Sequence, residues 1–301
     1  MPVELQIPQW EWWIVVYFFA GGIAGGAYLV STVIELVGEP ADRPVARMGY
    51  IIAFAMIPIC VVCLILDLGE PWRFWHMVVY RKTFLPAPVW DSPMSVGAYA
   101  LLIFSLFSTL SFLDALVETG RLRWAPFRAR YNSVPRMIYA VLGGLAAFFL
   151  ASYTGVLLAT THLPAWANTP LLGALFLASG ASTGVAAVVV GLVLADSDVG
   201  ASWTKLKRLD NVAIIWELVL LIVMLVWLGA AAAPLLSGLG GILLIGGTVL
   251  IGLVVPLLMQ LRPSAEARNG RGRAILVPAL LILIGGFILR MVIVLGGQGL
   301  L

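Results

Sequence analysis

Long apolar runs alternate with short polar breaks along nearly the whole 301-residue chain. Eight such runs can be drawn, over 13–37, 48–68, 94–117, 136–160, 170–195, 212–232, 238–260 and 274–296. Each can cross a bilayer as a helix, which takes about 20 consecutive apolar residues. Proline or charge marks most breaks: Pro40 and Pro44, Pro71, Pro86 to Pro93, Pro126 and Pro135, Pro164 and Pro170, then Arg262 and Pro263. The runs are continuous rather than alternating, which argues against a membrane β-barrel. The pattern predicts an all-α integral membrane protein with eight transmembrane helices, and an even number of spans puts both termini on one side.

Loop charge predicts which side that is. The breaks after the first, third, fifth and seventh runs carry thirteen cations: Arg43, Arg47, Arg121, Arg123, Arg128, Arg130, Lys205, Lys207, Arg208, Arg262, Arg268, Arg271 and Arg273. The opposite face has Arg73, Arg81 and Lys82, with Arg290 inside the last run. Cytoplasmic loops hold the excess of Lys and Arg, so the basic face is expected in the cytoplasm and both termini outside. The N-terminus has no basic n-region and leads straight into a full-length span, so no cleavable signal is expected.

Composition agrees: 61% of residues are hydrophobic and 11% charged, against about 25% charged in soluble domains. The net charge of +3 sits in short inter-span loops and is not a nucleic-acid signature. Only two histidines, His76 and His162, and two cysteines, Cys60 and Cys63, are present. Both histidines fall in connecting segments, whereas a haem between helices needs axial ligands on those helices, and an iron–sulfur cluster needs about four thiolates. No haem or iron–sulfur cluster is therefore expected in this protein. Electrons, if it handles them, would come from a diffusible carrier and a partner subunit. The Cys60-x-x-Cys63 pair lies mid-run and reads as two small buried residues on one helix face, because redox work needs exposed, low-pKa thiols.

Several polar groups lie inside or at the ends of spans, where ionisable residues are costly and mark function first. Asp67 closes the second span in Leu66-Asp67-Leu68-Gly69-Glu70-Pro71; it could cap a helix, pair with Arg73, or exchange protons with a quinone. Tyr153 in the fourth span and Tyr17 in the first stand at a similar depth and could donate hydrogen bonds to quinone oxygens, while His162 reads as an interfacial residue or a proton relay. Gly21-Gly22-Ile23-Ala24-Gly25-Gly26 holds two overlapping G-x-x-x-G spacings, which permit close helix packing. The same glycines could give a flat wall for a planar ligand. Glu35, Asp114 and Glu217 lie toward the cytoplasmic half and Arg290 toward the outer half. Glu35 and Asp114 could be snorkelling span ends, and all four could form a proton path or pair between helices. The Trp10-Glu11-Trp12-Trp13 cluster reads as an interfacial belt.

At this point the sequence resembles the NrfD/polysulfide reductase membrane-subunit family over nearly its whole length. The matching pieces are Gly21–Leu29, Leu66–Phe74, Ser92–Ser95, Ser152–Leu158, Pro164-Ala165-Trp166, Phe176–Gly180 and Leu289-Arg290. The resemblance implies a haem-free subunit that exchanges electrons between the membrane quinone pool, menaquinone or ubiquinone, and an extracytoplasmic four-cluster iron–sulfur subunit. That subunit in turn serves a molybdopterin or multihaem catalytic subunit. The resemblance also places the quinone site near the outer surface within the first four helices. Asp67 and Tyr153 fall on family motif positions; Tyr17 stands in the region where a relative can carry histidine. The expected organisation is a quinone-site bundle over 1–160 and a second four-helix bundle over 161–301. The iron–sulfur partner would dock on the 69–93 and 161–169 loops, with Arg73 and His76 among the docking residues. A secondary transporter and an inert membrane anchor are the alternatives. No inverted repeat supports the first: Gly180 and Gly184 only weakly echo the glycines of span one. The second has no use for ionisable groups inside spans.

Overall fold

The computed structural model describes residues 10–79, 86, 92–122, 134–197, 199–261 and 271–301. Among these the secondary structure is helical, with one isolated bridge between Val79 and Pro86 and no strand. Eight helices are long and apolar enough to cross a membrane. We label them α1 (Trp12–Val37), α2 (Arg43–Asp67), α3 (Pro93–Glu118), α4 (Val134–Ala159), α5 (Leu172–Leu194), α6 (Ser202–Leu228), α7 (Gly238–Leu261) and α8 (Arg271–Met291, continued by Val292–Gly296).

Each predicted run has its helix, but several helices outgrow their apolar runs. The largest correction is α6, which starts at Ser202 rather than 212. Lys205, Lys207 and Arg208 therefore lie on its first turns and not in a loop. Helical hydrogen bonding does not stop where the apolar stretch begins, and polar first turns reach into the interface. Arg43 is corrected in the same way: it is the first residue of α2 and is buried. Arg81, Lys82, Arg123, Arg128, Arg130, Arg262 and Arg268 fall outside the described residues.

The glycine run of α1 sets the packing. α1 is buried along most of its length and touches α2, α4, α5 and α8. A Cβ on Gly25 would come 2.9 Å from the Ala147 carbonyl of α4, and one on Gly180 of α5 would come 3.2 Å from the Gly22 carbonyl. Gly26 meets the Gly180 backbone and Gly184 meets the backbone of Gly26 and Ala27, so α1 and α5 pack backbone to backbone. With no hydrophobic drive between helices in lipid, such small-residue seams supply the dispersion contact that holds spans together. Gly252 and Gly285 do the same for α7 and α8.

The N-terminal end of α1 is roofed by aromatic rings. Trp10 is buried and its ring lies 5.9 Å from Phe18 and 6.0 Å from Trp166. The Gln298 side chain accepts from the Trp10 amide at 2.8 Å and donates to the Trp10 carbonyl at 3.0 Å, tying the end of α8 to the start of α1. Trp166 donates its indole N–H to the Ile293 carbonyl at 2.8 Å. Trp12 and Trp13 are exposed as a belt would require, so the tryptophan cluster divides between core and surface.

Candidate functional site

Three helices bring the predicted quinone residues toward one another near the start of α1. Tyr17 is 1% exposed, and its hydroxyl stands within electrostatic reach of the Cys60 thiol on α2 and the Tyr153 hydroxyl on α4. Among the described residues the Tyr17 hydroxyl has no hydrogen-bond partner, whereas a buried tyrosine normally finds one. One turn along α1, Gly21 faces α2: a Cβ there would make ordinary van der Waals contact with Cys60 Sγ at 3.9 Å. Cys60, Cys63 and Asp67 recur at helical spacing and share one face of α2. Both cysteines are buried free thiols, as expected of small packing residues.

Tyr153 is seated by α3. A Cβ on Gly97 would lie 2.5 Å from Tyr153 Cε1 and 2.6 Å from its hydroxyl, so only glycine leaves room for the ring. The hydroxyl donates to the Pro93 carbonyl in the first turn of α3. Asp67, the last residue of α2, is partly buried and within electrostatic reach of Glu11 and Cys63. Among the described residues it has no ion-pair partner; the exposed Arg73 does not pair with it. His162 is exposed on the connection beyond α4, apart from the tyrosines, and His76 is exposed in the Pro71–Met77 turn, its ring 3.7 Å from that of Trp75. Among the described residues no group of three or more His, Cys, Asp or Glu side chains is placed to hold a metal ion.

The four residues expected on a proton path fall into two separate clusters. Glu35 and Asp114 do not snorkel. They are 5% and 3% exposed and meet two arginines at the opposite end of the first four helices. Arg136 lies 2.8 Å from Glu35, 3.0 Å from Asp114 and 3.1 Å from Glu118. Arg43 reaches Glu118 at 2.8 Å and Asp114 at 3.6 Å, and pairs closely with Glu35. One charged side chain from α1, one from α2, two from α3 and one from α4 thus form a single network, buried except at Glu118, its solvent-facing edge. Tyr28 extends it inward through Ser111 at 2.8 Å, with its ring 4.9 Å from that of Tyr50.

Glu217 and Arg290 belong to the second cluster. Glu217 is 1% exposed, while its neighbour Trp216 turns outward. Its carboxylate is within electrostatic reach of Ser179, Arg290 and Asp210. Asp210 accepts from Ser182 at 3.2 Å and from Gln260 at 2.5 Å. Arg290 is fully buried and donates to Ser179 Oγ at 2.9 Å, the Gly286 carbonyl at 2.8 Å and the Phe18 carbonyl of α1 at 3.1 Å.

Residues 4–301 match the model of the family described as Polysulphide reductase, NrfD. The chain belongs to this family. Among its NrfD-family relatives, Protein NrfD homolog of Haemophilus influenzae is 28% identical, over 99% of this protein and 97% of the relative. The polysulfide reductase C chain of Wolinella succinogenes is 28% identical over 96% and 94% respectively. Protein NrfD of Escherichia coli is 26% identical over 96% and 95%. NrfD-family membership and eight apolar helices together make this a multi-pass membrane protein.

Sequence reasoning passed over Arg43, Arg136, Ser179, Ser182 and Asp210 as members of these clusters. A signal existed for Arg136, a cation at the very start of an apolar run and so more expensive than a loop residue. Asp210 stands just before the apolar run at 212, where the spans as drawn exclude it.

Proposed function

We propose that this protein is the quinone-reactive membrane subunit of an oxidoreductase complex, passing electrons between the quinone pool and an extracytoplasmic iron–sulfur subunit. The observation that carries the reading is Tyr17, a buried side chain whose hydroxyl has no hydrogen-bond partner among the described residues, with Tyr153 and Cys60 beside it and Asp67 beyond. A quinone carbonyl is an acceptor that a free phenol can satisfy. One turn along α1, Gly21 keeps the surface facing Cys60 free of a side chain.

In this scheme Tyr17 donates to one quinone oxygen. Tyr153 exchanges its bond to the Pro93 carbonyl for one to the substrate. Quinol oxidation releases two electrons and two protons; the electrons leave through the partner, and Asp67 takes up the two protons one after the other at the end of α2, each being passed to the surface by His162 or water before the next arrives. The reverse reaction runs through the same groups. The positive-inside count puts the two termini and this site on the extracytoplasmic side of the prokaryotic cytoplasmic membrane. There Arg73, His76 and the exposed Trp72 offer the partner a surface. The partner is a four-cluster iron–sulfur subunit that serves a molybdopterin or multihaem enzyme. The Wolinella relative is named as one lettered component of a polysulfide reductase, which favours such a multi-subunit setting. The first four helices, 1–160, hold the quinone site, and 161–301 form the second bundle.

Proton translocation is a second reading, favoured by the row Gln260, Asp210, Ser182, Ser179, Glu217 and Arg290 that runs across α5, α6, α7 and α8. Uptake of protons into inverted vesicles during turnover, lost in Glu217→Gln with electron transfer retained, is the expected signature.

The deciding experiment for the primary reading is quinone binding by full-length protein in nanodiscs, followed by tryptophan quenching with a short-chain naphthoquinone. Tyr17→Phe should weaken binding roughly three- to tenfold, the worth of one net hydrogen bond. Asp67→Asn should bind naphthoquinone yet lose quinone turnover while partner assembly stays intact. Wild-type turnover in Asp67→Asn removes that residue from the mechanism, and unchanged binding in Tyr17→Phe removes the site.

A further inference from the structure

Arg290 is, with Arg136, one of two arginines among the largest fully buried side chains of the described residues, and its contacts concern α1 as much as its own half of the protein. Its Nε donates to the carbonyl of Phe18, the residue that follows Tyr17. Its Nη1 donates to Ser179 on α5 and to Gly286 on its own helix. The guanidinium lies flat against the α1 backbone because the position opposite it is Gly22, where a Cβ would stand 2.5 Å from Nη2, 3.2 Å from Cζ and 3.3 Å from Nε. Phe19 and Phe176 flank it, with centroids 5.8 Å and 5.6 Å from Cζ. Behind it lies Glu217, the counter-charge within electrostatic reach.

A helical carbonyl already accepts one bond from the amide four residues on, so the bond from Arg290 uses its remaining lone pair. Such a contact leaves α1 helical and instead fixes its rotation about its own axis and its distance from α5 and α8. The phenol one residue earlier reports that rotation with leverage. A turn of about 10° moves a group about 8 Å from the axis by about 1.4 Å, enough to break a hydrogen bond.

We infer that Arg290 is a positioning residue for the quinone site: it holds α1 by the Phe18 carbonyl so that the Tyr17 hydroxyl faces the space beside Cys60 and Tyr153. Gly22 is the other half of the device, since any side chain there displaces the guanidinium. Glu217 and Ser179 orient the fork from the far side. The fork geometry matters, because a lysine ammonium has no second nitrogen held in fixed relation to the first and cannot hold Phe18 and Ser179 together in this way. The inference rests on the quinone-site reading above.

The test is a double-mutant cycle on naphthoquinone affinity, using the full-length protein in nanodiscs. Tyr17→Phe, Arg290→Lys, Gly22→Ala and the two pairwise combinations with Tyr17→Phe are compared. If Arg290 acts through Tyr17, Arg290→Lys and Gly22→Ala each weaken binding by about the same factor as Tyr17→Phe, roughly three- to tenfold. Each combination is then no weaker than Tyr17→Phe alone. A purely structural arginine gives factors that multiply, and that result overturns the inference while leaving the quinone site standing. Gly22→Ala keeps every charge in place, so it answers the question if Arg290→Lys does not fold. Full-affinity binding by Tyr17→Phe is the separate outcome that sinks the quinone-site reading itself, and the positioning role with it.

Discussion

Arg136→Gln should destabilise this protein far more than Asp114→Asn, although the two side chains share one ion-pair network. The network holds three carboxylates, Glu35, Asp114 and Glu118, against two guanidinium groups, Arg43 and Arg136. Removing Arg136 deletes contacts of 2.8, 3.0 and 3.1 Å at once and leaves three carboxylates facing one cation. An uncompensated buried charge costs about 3–5 kcal/mol. Asp114→Asn moves the balance the other way, to two carboxylates and two cations. Asparagine keeps an oxygen facing the Arg136 guanidinium, so the loss is only the ion-pair part of the contact, about 1 kcal/mol. The separation between the two variants is therefore about 2–4 kcal/mol. Cys60 and Cys63 supply the assay: both are free and buried, at 0% and 4% exposure, so a maleimide fluorophore reacts only as the helices part. Heated in the same detergent, Arg136→Gln should expose its thiols well below the wild-type temperature, and Asp114→Asn close to it. Equal shifts for the two variants would refute the charge-balance argument, and a benign Arg136→Gln would mean that the network carries no stability.

Other expectations follow from single contacts. Gly26→Ala should abolish accumulation of folded protein, because its Cβ would enter the Gly180 backbone of α5, whereas Gly246→Ala, with open space around it, should express as wild type. Gly97→Ala should reproduce the naphthoquinone-binding defect of Tyr153→Phe, since it expels the Tyr153 ring without altering its hydroxyl; normal binding in Gly97→Ala would place Tyr153 outside the site. Gln298→Ala removes both links to Trp10 and should cost about 1–3 kcal/mol, read as earlier thiol exposure in the same melting assay.

How much of this was legible in the sequence itself follows from what a bilayer demands. A span must be contiguous and apolar, so all eight helices could be drawn from local composition. Their ends could not, because polar first turns such as Ser202–Leu206 extend into the interface. The depth of Tyr17, Asp67 and Tyr153 was legible, since depth follows from counting residues along a helix. Which side of each helix they occupy was not, because rotation is set by neighbours that lie far away in sequence. Depth alone treated the three as one set; rotation sets Tyr17 beside Cys60 and Tyr153, with Asp67 farther along α2 beside Cys63 and Glu11.

Pairing partners were hidden for the same reason. Arg43 and Glu118 stand 75 residues apart, Arg290 and Phe18 stand 272 apart, and no local pattern connects them. Yet the cost of a buried charge is itself a signal of pairing. Four helices that each place an ionisable group near the same end, Glu35, Arg43, Asp114 and Arg136, have little choice but to bring them together. The glycines carry the same lesson in reverse. Gly180 and Gly184 looked like a faint repeat of Gly22 and Gly26, and failed as evidence for internal symmetry. They matter as the complement of that run: a backbone seam needs small residues on both of its sides. A second small-residue motif in a membrane protein is therefore better read first as the partner of the first than as its copy. That seam brings α5, and with it Ser179, close enough to α1 for one arginine to bridge them.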